Sequence, residues 1–168
     1  MFTISYATMQ DKHYVCTDKK LTESKLELKI RDKMCYVLRY NAKHCNMVNG
    51  AYAPSSASPS QSPEAIEPHY NNECIGVMVY NLIFDLIPFL TMMYIEDDYQ
   101  RKGFGTKAMA HWENEMRSHG HKMIMVSTQV DEDAQHFYRK LGYKDMGSII
   151  MNIPPYEQPM EIFMGKAL

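Results

Sequence analysis

Paired cysteines, a Walker-type lysine and long apolar runs are all missing from this chain, and each absence removes a class of function. Cys16, Cys35, Cys45 and Cys74 form no C-x-x-C pair, so neither a zinc cluster nor a disulfide framework is indicated, and reduced structural thiols are expected. No run approaches membrane-spanning length, and Met1–Tyr6 lacks the basic segment, apolar stretch and small-residue cleavage site of a leader. That predicts a cytoplasmic protein with no membrane association. Lys and Arg number 18 against 20 Asp and Glu, for a net charge of -2, so no global field recruits nucleic acid. His119-x-His121 has Gly120 between its imidazoles and no acidic ligand nearby, which reads as a surface turn with no metal.

What is present fits one domain spanning residues 1–168, a length that supports one real core. Fifteen methionines are expected to fill gaps in that core, since Met92, Met93, Met109, Met123 and Met125 fall in apolar periodic segments. A pliable substrate pocket is the alternative use.

Ile4 to Ala7 predicts a first strand, Thr22-Glu23-Ser24 a hydroxyl-capped helix start, and Met34 to Tyr40 a second strand. A Pro/Ser-rich flexible insertion follows at about 43–72, centred on Pro54 to Pro63, whose composition cannot bury enough apolar area to offset ordering. Its functional alternative to an inert loop is a lid. Ile75 to Phe84 and Phe89 to Ile95 predict an antiparallel hairpin around Asp85-Leu86-Ile87-Pro88. Gly105, Ala108, Met109, Trp112 and Met116 then recur at helical spacing with Lys107, Glu113, Glu115 and Arg117 facing outward, and Gly120 ends that helix. Lys122 to Thr128 predicts a strand, Asp131 to Lys140 a helix stopped by Gly142, and Tyr143 to Met151 and Met160 to Met164 the closing strands. This order describes a mixed α/β sheet.

The segment Tyr99-Gln100-Arg101-Lys102-Gly103-Phe104-Gly105-Thr106 lies between the second hairpin strand and the long helix. Its glycines lack a Cβ, so main-chain N–H groups can converge on an anion at the positive end of the helix dipole. It is no Walker loop, because no Gly-Lys-Ser/Thr follows, and no dinucleotide fingerprint, because a third glycine is missing. An unrelated nucleotide-phosphate binder would need a metal-binding hydroxyl and an acidic partner, for which Thr106 is only a partial candidate.

Together, Gln100-x-x-Gly103-x-Gly105 after a strand and Ala134-Gln135-His136-Phe137-Tyr138-Arg139-Lys140-Leu141-Gly142-Tyr143 resemble the GNAT superfamily of N-acetyltransferases. The likeness is good from Cys74 to about Ile150, extends to the last strand and is weak before Tyr40, and it points to a small single-domain member. It implies a GNAT-like mixed, mostly antiparallel central sheet with a splayed strand pair, flanked by helices on both faces. It also implies acetyl-coenzyme A as co-substrate, its pyrophosphate on the backbone of Gln100, Arg101, Lys102, Gly103, Phe104, Gly105 and Thr106, and its pantetheine arm along Met93-Tyr94-Ile95. Positive charge comes from Arg101, Lys102 and Lys107, while Glu96, Asp97 and Asp98 should point to solvent.

The resemblance further implies Tyr138 near the coenzyme sulfur, where a phenol can protonate the departing thiolate, and a strand N–H around Met93 free to polarise the acetyl carbonyl. Asp131 falls where many relatives carry an asparagine that binds the pantetheine arm; a carboxylate keeps the acceptors but loses the amide donors, and capping the following helix is its preferred role. The acceptor that the resemblance implies is an amine, on a small molecule or a peptide. No residue is an obvious base, since Pro88-Phe89-Leu90 cannot take a proton and Asp85 and Glu96 read as turn or surface residues. Two functions follow: an N-acetyltransferase, or a catalytically silent coenzyme-binding sensor. Edge pairing among relatives makes a homodimer one option.

Overall fold

The computed structural model describes residues 1–16, 22–41 and 72–168. The Pro/Ser-rich insertion, and with it the lid alternative, lies outside the described residues. Seven strands form one sheet in the order β1-β2-β3-β4-β5-β7-β6. They are β1 (Phe2–Tyr6), β2 (Cys35–Asn41), β3 (Asn72–Ile83), β4 (Ile87–Ile95), β5 (Met123–Gln129), β6 (Lys144–Ile149) and β7 (Glu161–Ala167). Every neighbouring pair is antiparallel except β4 with β5, which is parallel. The helices are α1 (Lys12–Cys16), α2 (Glu23–Arg31), α3 (Phe104–Ser118) and α4 (Ala134–Lys140).

Side-chain alternation along the strands sorts the apolar residues onto two faces. On one face Cys35, Val37, Val77 and Val79 pack with Val15 of α1 and Leu26 of α2. On the other, Tyr36, Leu38, Met78, Tyr80 and Leu90 pack with Ala108, Met109, Trp112 and Met116 of α3 and Tyr138 of α4. Burying a side chain such as Leu26, which is fully enclosed, contributes about 2 kcal/mol. Helices therefore cover both faces, as the resemblance implied. Among the described residues no helix is long and apolar enough to cross a membrane.

The hairpin forms as its pattern requires, with a tight turn in which Phe84 and Asp85 take left-handed backbone (φ 54° and 55°). The turn is shorter than expected, because Ile87 and Pro88 already pair with Ile83 and Leu82. Gly120 (φ 87°) and Gly142 (φ 88°) stop α3 and α4 in the left-handed conformation that favours glycine.

Three local expectations fail for physical reasons. Thr22 is the N-cap of α2, yet its hydroxyl bonds no helix amide, its Oγ1 lying 3.5 Å from Ser24 Oγ instead. The fourth helix begins at Ala134, because Val130 to Asp133 form a turn. Glu113 and Glu115 do not face outward: Glu113 is buried, and Glu115 accepts a hydrogen bond from the Tyr6 hydroxyl. The helix packs on more than one stripe, so an outer position by simple periodicity lies against β7 or β1.

Candidate active site

The site begins where β4 and β5 part. Their pairing extends over Phe89 with Met125 and Leu90 with Val126, after which both strands continue without each other. An irregularity in β4 accompanies the split: Val79 pairs Met92 and Tyr80 pairs Leu90, leaving Thr91 as the extra residue. The Thr91 hydroxyl donates to Val79 O at 3.1 Å and anchors the bulge.

Beyond the bulge the amides alternate. Glu96 N donates to Ile75 O at 2.9 Å, so its neighbour Ile95 and, two residues back, Met93 direct their N–H and C=O groups away from β3. With β5 splayed off, the Met93 N–H meets no ladder partner among the described residues. The Ile95 carbonyl, on that same side, accepts from Gln100 Nε2 at 2.9 Å.

Gln100 is turned into its own loop. Its Nε2 also donates to Asp97 Oδ1 at 2.8 Å, and its N–H donates to Asp97 O at 3.2 Å. The next six amides, Arg101 to Thr106, have no backbone acceptor among the described residues; the first bond of the α3 turn runs from Lys107 N to Gly103 O at 3.2 Å. Arg101 (φ 57°) and Gly103 (φ 82°) both take left-handed backbone, the alternation that builds a concave anion nest. A Cβ on Gly103 would meet nothing within 4 Å, whereas one on Gly105 would come 3.0 Å from Met93 Cε and 3.4 Å from Phe137 Cζ. Gly103 is thus open to a ligand, and Gly105 lets α3 lie close to β4. Lys102 Nζ sits 5.5 Å above the Tyr99 ring and Lys107 Nζ 5.9 Å above that of Phe104, while Arg101 is exposed.

Tyr138 comes from α4 on the face of the sheet that carries α3. It is 7% exposed, in contact with Phe137 and Tyr143. Burial, reinforced by the Glu132 carboxylate, pushes its hydroxyl up to about 12, so it holds its proton at neutral pH.

The acidic residues are disposed differently from expectation. Asp97 and Asp98 are exposed, but Glu96 does not simply face solvent: it accepts the Tyr14 hydroxyl at 2.9 Å and the Tyr94 hydroxyl at 3.0 Å. Tyr94 is thereby engaged on the α1 side of the sheet. Asp85 stands at the opposite end of β4, about 25 Å from the glycine loop by strand rise. Asp131 is exposed and does not cap α4, whose N-cap is Asp133, also without a side-chain cap bond. Glu132 folds back instead, accepting the Thr128 hydroxyl at 2.6 Å and the Gln129 N–H at 3.2 Å. The capping expected of Asp131 fails because the turn over Val130 to Asp133 moves the helix start to Ala134.

Residues 61–143 match the sequence profile of the acetyltransferase (GNAT) family. Over that segment the chain is similar to GNAT acetyltransferases. Solved structures agree on the GNAT fold at low identity. The ribosomal-protein-S18-alanine N-acetyltransferase from Escherichia coli superposes with a TM-score of 0.68 at 15% identity, over 99% of this chain and 94% of that one. Naa50 from Arabidopsis thaliana, in complex with the bisubstrate analogue CoA-Ac-MVNAL, gives 0.66 at 12% identity, over 99% of both chains. Ard1 from Thermoplasma volcanium gives 0.69 at 11% identity, over 99% and 97%. Among curated proteins, none matches this sequence. The two stretches that carry the resemblance, the glycine loop and the Tyr138 helix, both fall within the matched segment, on elements that flank one opening in the sheet.

Proposed function

We propose that this protein is an acetyl-coenzyme A-dependent N-acetyltransferase that moves the acetyl group to a primary amine, on a peptide or a small molecule, by direct attack in a ternary complex. The observation that carries the reading is the set of amides without a backbone partner among the described residues: Met93 at the splay and Arg101 to Thr106 at the start of α3. Amides in such an exposed loop are met by water, which an anionic ligand can displace. Here the donors suit a diphosphate at one end and a carbonyl oxygen at the other. The residues present therefore fit the co-substrate, which supplies an activated thioester acyl group.

Each residue then has a task. Arg101 to Thr106 hold the diphosphate through main-chain N–H groups, helped by the α3 dipole and by the charges of Arg101, Lys102 and Lys107. Met93, Tyr94 and Ile95 offer the strand edge along which the pantetheine arm lies, and Gln100 keeps the loop in shape. The Met93 N–H donates to the acetyl oxygen as negative charge grows there during attack. Tyr138, protonated at working pH, gives its proton to the leaving sulfur. Asp131, exposed beside the cleft, offers carboxylate acceptors to the arm but no amide donor. Peptide acceptors are favoured by the likeness to the S18-alanine enzyme and to Naa50 with its peptide-bearing analogue.

One observation favours a second reading, a sensor that binds the coenzyme without transfer: Glu96 is engaged by two tyrosines and Asp85 is remote, so neither serves as base. Release of coenzyme A thiol, screened over polyamines, amino acids, aminoglycosides and peptide N-termini, separates the two. Transfer requires thiol release that depends on an amine; saturable binding with no release over the whole panel establishes the sensor instead.

A further inference from the structure

Among the described residues only Asp11, Glu113 and Thr128 are buried polar or charged side chains. Asp11 is paired with Arg39, and Thr128 is tied to Glu132 in the turn before α4. Glu113, on α3, has no part in the chemistry above. Its Oε1 accepts the Tyr143 hydroxyl at 3.2 Å and its Oε2 accepts Lys166 Nζ, from β7, at 2.6 Å. Lys166 Nζ also stands 5.5 Å above the Tyr143 ring. An ion pair with a buried carboxylate and a half-buried lysine is a costly way to tie a helix to a strand, since apolar residues of the same size can do as well.

What the polar arrangement adds is direction, because one hydroxyl bond and one cation fix the plane of the Tyr143 ring. That ring meets Tyr138 edge-on, with centroids 5.7 Å apart and planes at 61°, and the Tyr143 N–H donates to Tyr138 O at 3.1 Å. Tyr138 has no hydrogen bond from its own hydroxyl among the described residues, nor is that oxygen sealed from solvent. A phenol that must release its proton is poorly held by a bond through that proton; it is held by its ring.

We propose that Glu113, Lys166 and Tyr143 are positioning residues for Tyr138, an inference that rests on the proton-donor role proposed for Tyr138 above. Tyr143→Phe keeps the ring and removes only the hydroxyl that Glu113 grips. In protein with ring-labelled tyrosines, NMR should show Tyr138 ring flipping accelerated by about tenfold in this variant and in the paired Glu113→Gln, Lys166→Met variant. An unchanged flip rate in both overturns the inference whatever the activity.

Turnover of acetyl-coenzyme A with the peptide Met-Val-Asn-Ala-Leu gives a second arm. Tyr143→Phe should lower kcat by about fivefold with KM for the thioester nearly constant, and should change nothing further in a Tyr138→Phe background. A loss that persists in that background shows that the network acts elsewhere and sinks the inference while leaving Tyr138 its role. Wild-type turnover by Tyr138→Phe alone removes the proton donor, and the inference with it.

Discussion

Gly103 and Gly120 bracket α3 and make a matched pair of perturbations. Both have left-handed backbone, φ 82° and 87°, and a Cβ at either would meet nothing within 4 Å. Alanine at each position therefore brings no clash, only backbone strain of about 1 to 2 kcal/mol. Part of that is offset by the smaller conformational freedom of the unfolded chain. Each variant should thus lose about 1 kcal/mol in urea denaturation, a fall in Tm of about 3 °C for a chain of this length.

Coenzyme binding should separate them. The strain at Gly103 is relieved by turning the amides of Arg101 to Thr106 away from convergence, so affinity for coenzyme A in calorimetry should fall by about tenfold, or 1.4 kcal/mol. Gly120→Ala, at the far end of the helix, should bind as the wild type does. Equal affinity in the two variants, with equal loss of stability, refutes the claim that the Gly103 conformation builds the cradle.

Other expectations concern single groups. Tyr138→Phe should cut turnover by about a hundredfold while leaving coenzyme affinity within a factor of about two; a wild-type rate in stopped-assay kinetics removes the residue from the acid role. Burial pushes the Asp11 carboxyl up, but hydrogen bonds from Thr8 and Arg39 outweigh it and hold the group below the usual range. A depressed carboxylate contributes stability that is full above its unfolded value, about 3.9, and lost as pH falls through the folded one. Urea midpoints between pH 6 and 3 should therefore fall more steeply in the wild type than in Asp11→Asn, and parallel curves contradict the pairing. Glu113→Ala leaves the Tyr143 hydroxyl and Lys166 without their shared acceptor, and should cost about 2 kcal/mol in thermal or urea unfolding; a loss near zero would show that the triad is not a tie.

Much of the architecture was legible because it is written locally. The hairpin from Ile75 to Ile95, the apolar stripe of α3 and the stops at Gly120 and Gly142 depend on residues a few positions apart. The glycine loop was legible for the same reason, since αL backbone and open space at Gly103 are what glycine is used for. Arg101 carried no such mark: its left-handed φ is imposed by the loop, not by its side chain.

What was hidden depends on distant partners. Nothing near Glu113 announces Lys166 of β7 or Tyr143, so the helical stripe assigned it to solvent. Glu96 looked like one of three surface acids until Tyr14 of α1 and Tyr94 enclosed it. The parallel pairing of β4 with β5 and its end at Leu90 and Val126 are likewise non-local, and only the family resemblance suggested the split.

The most direct measurement is a backbone-amide NMR titration of the protein with coenzyme A. Perturbations should concentrate at Arg101 to Thr106, with Met93 and Ile95 joining them. If binding occurs while those amides stay unmoved, or saturating coenzyme produces no change anywhere, the unpartnered N–H groups are not the binding surface and the account is wrong.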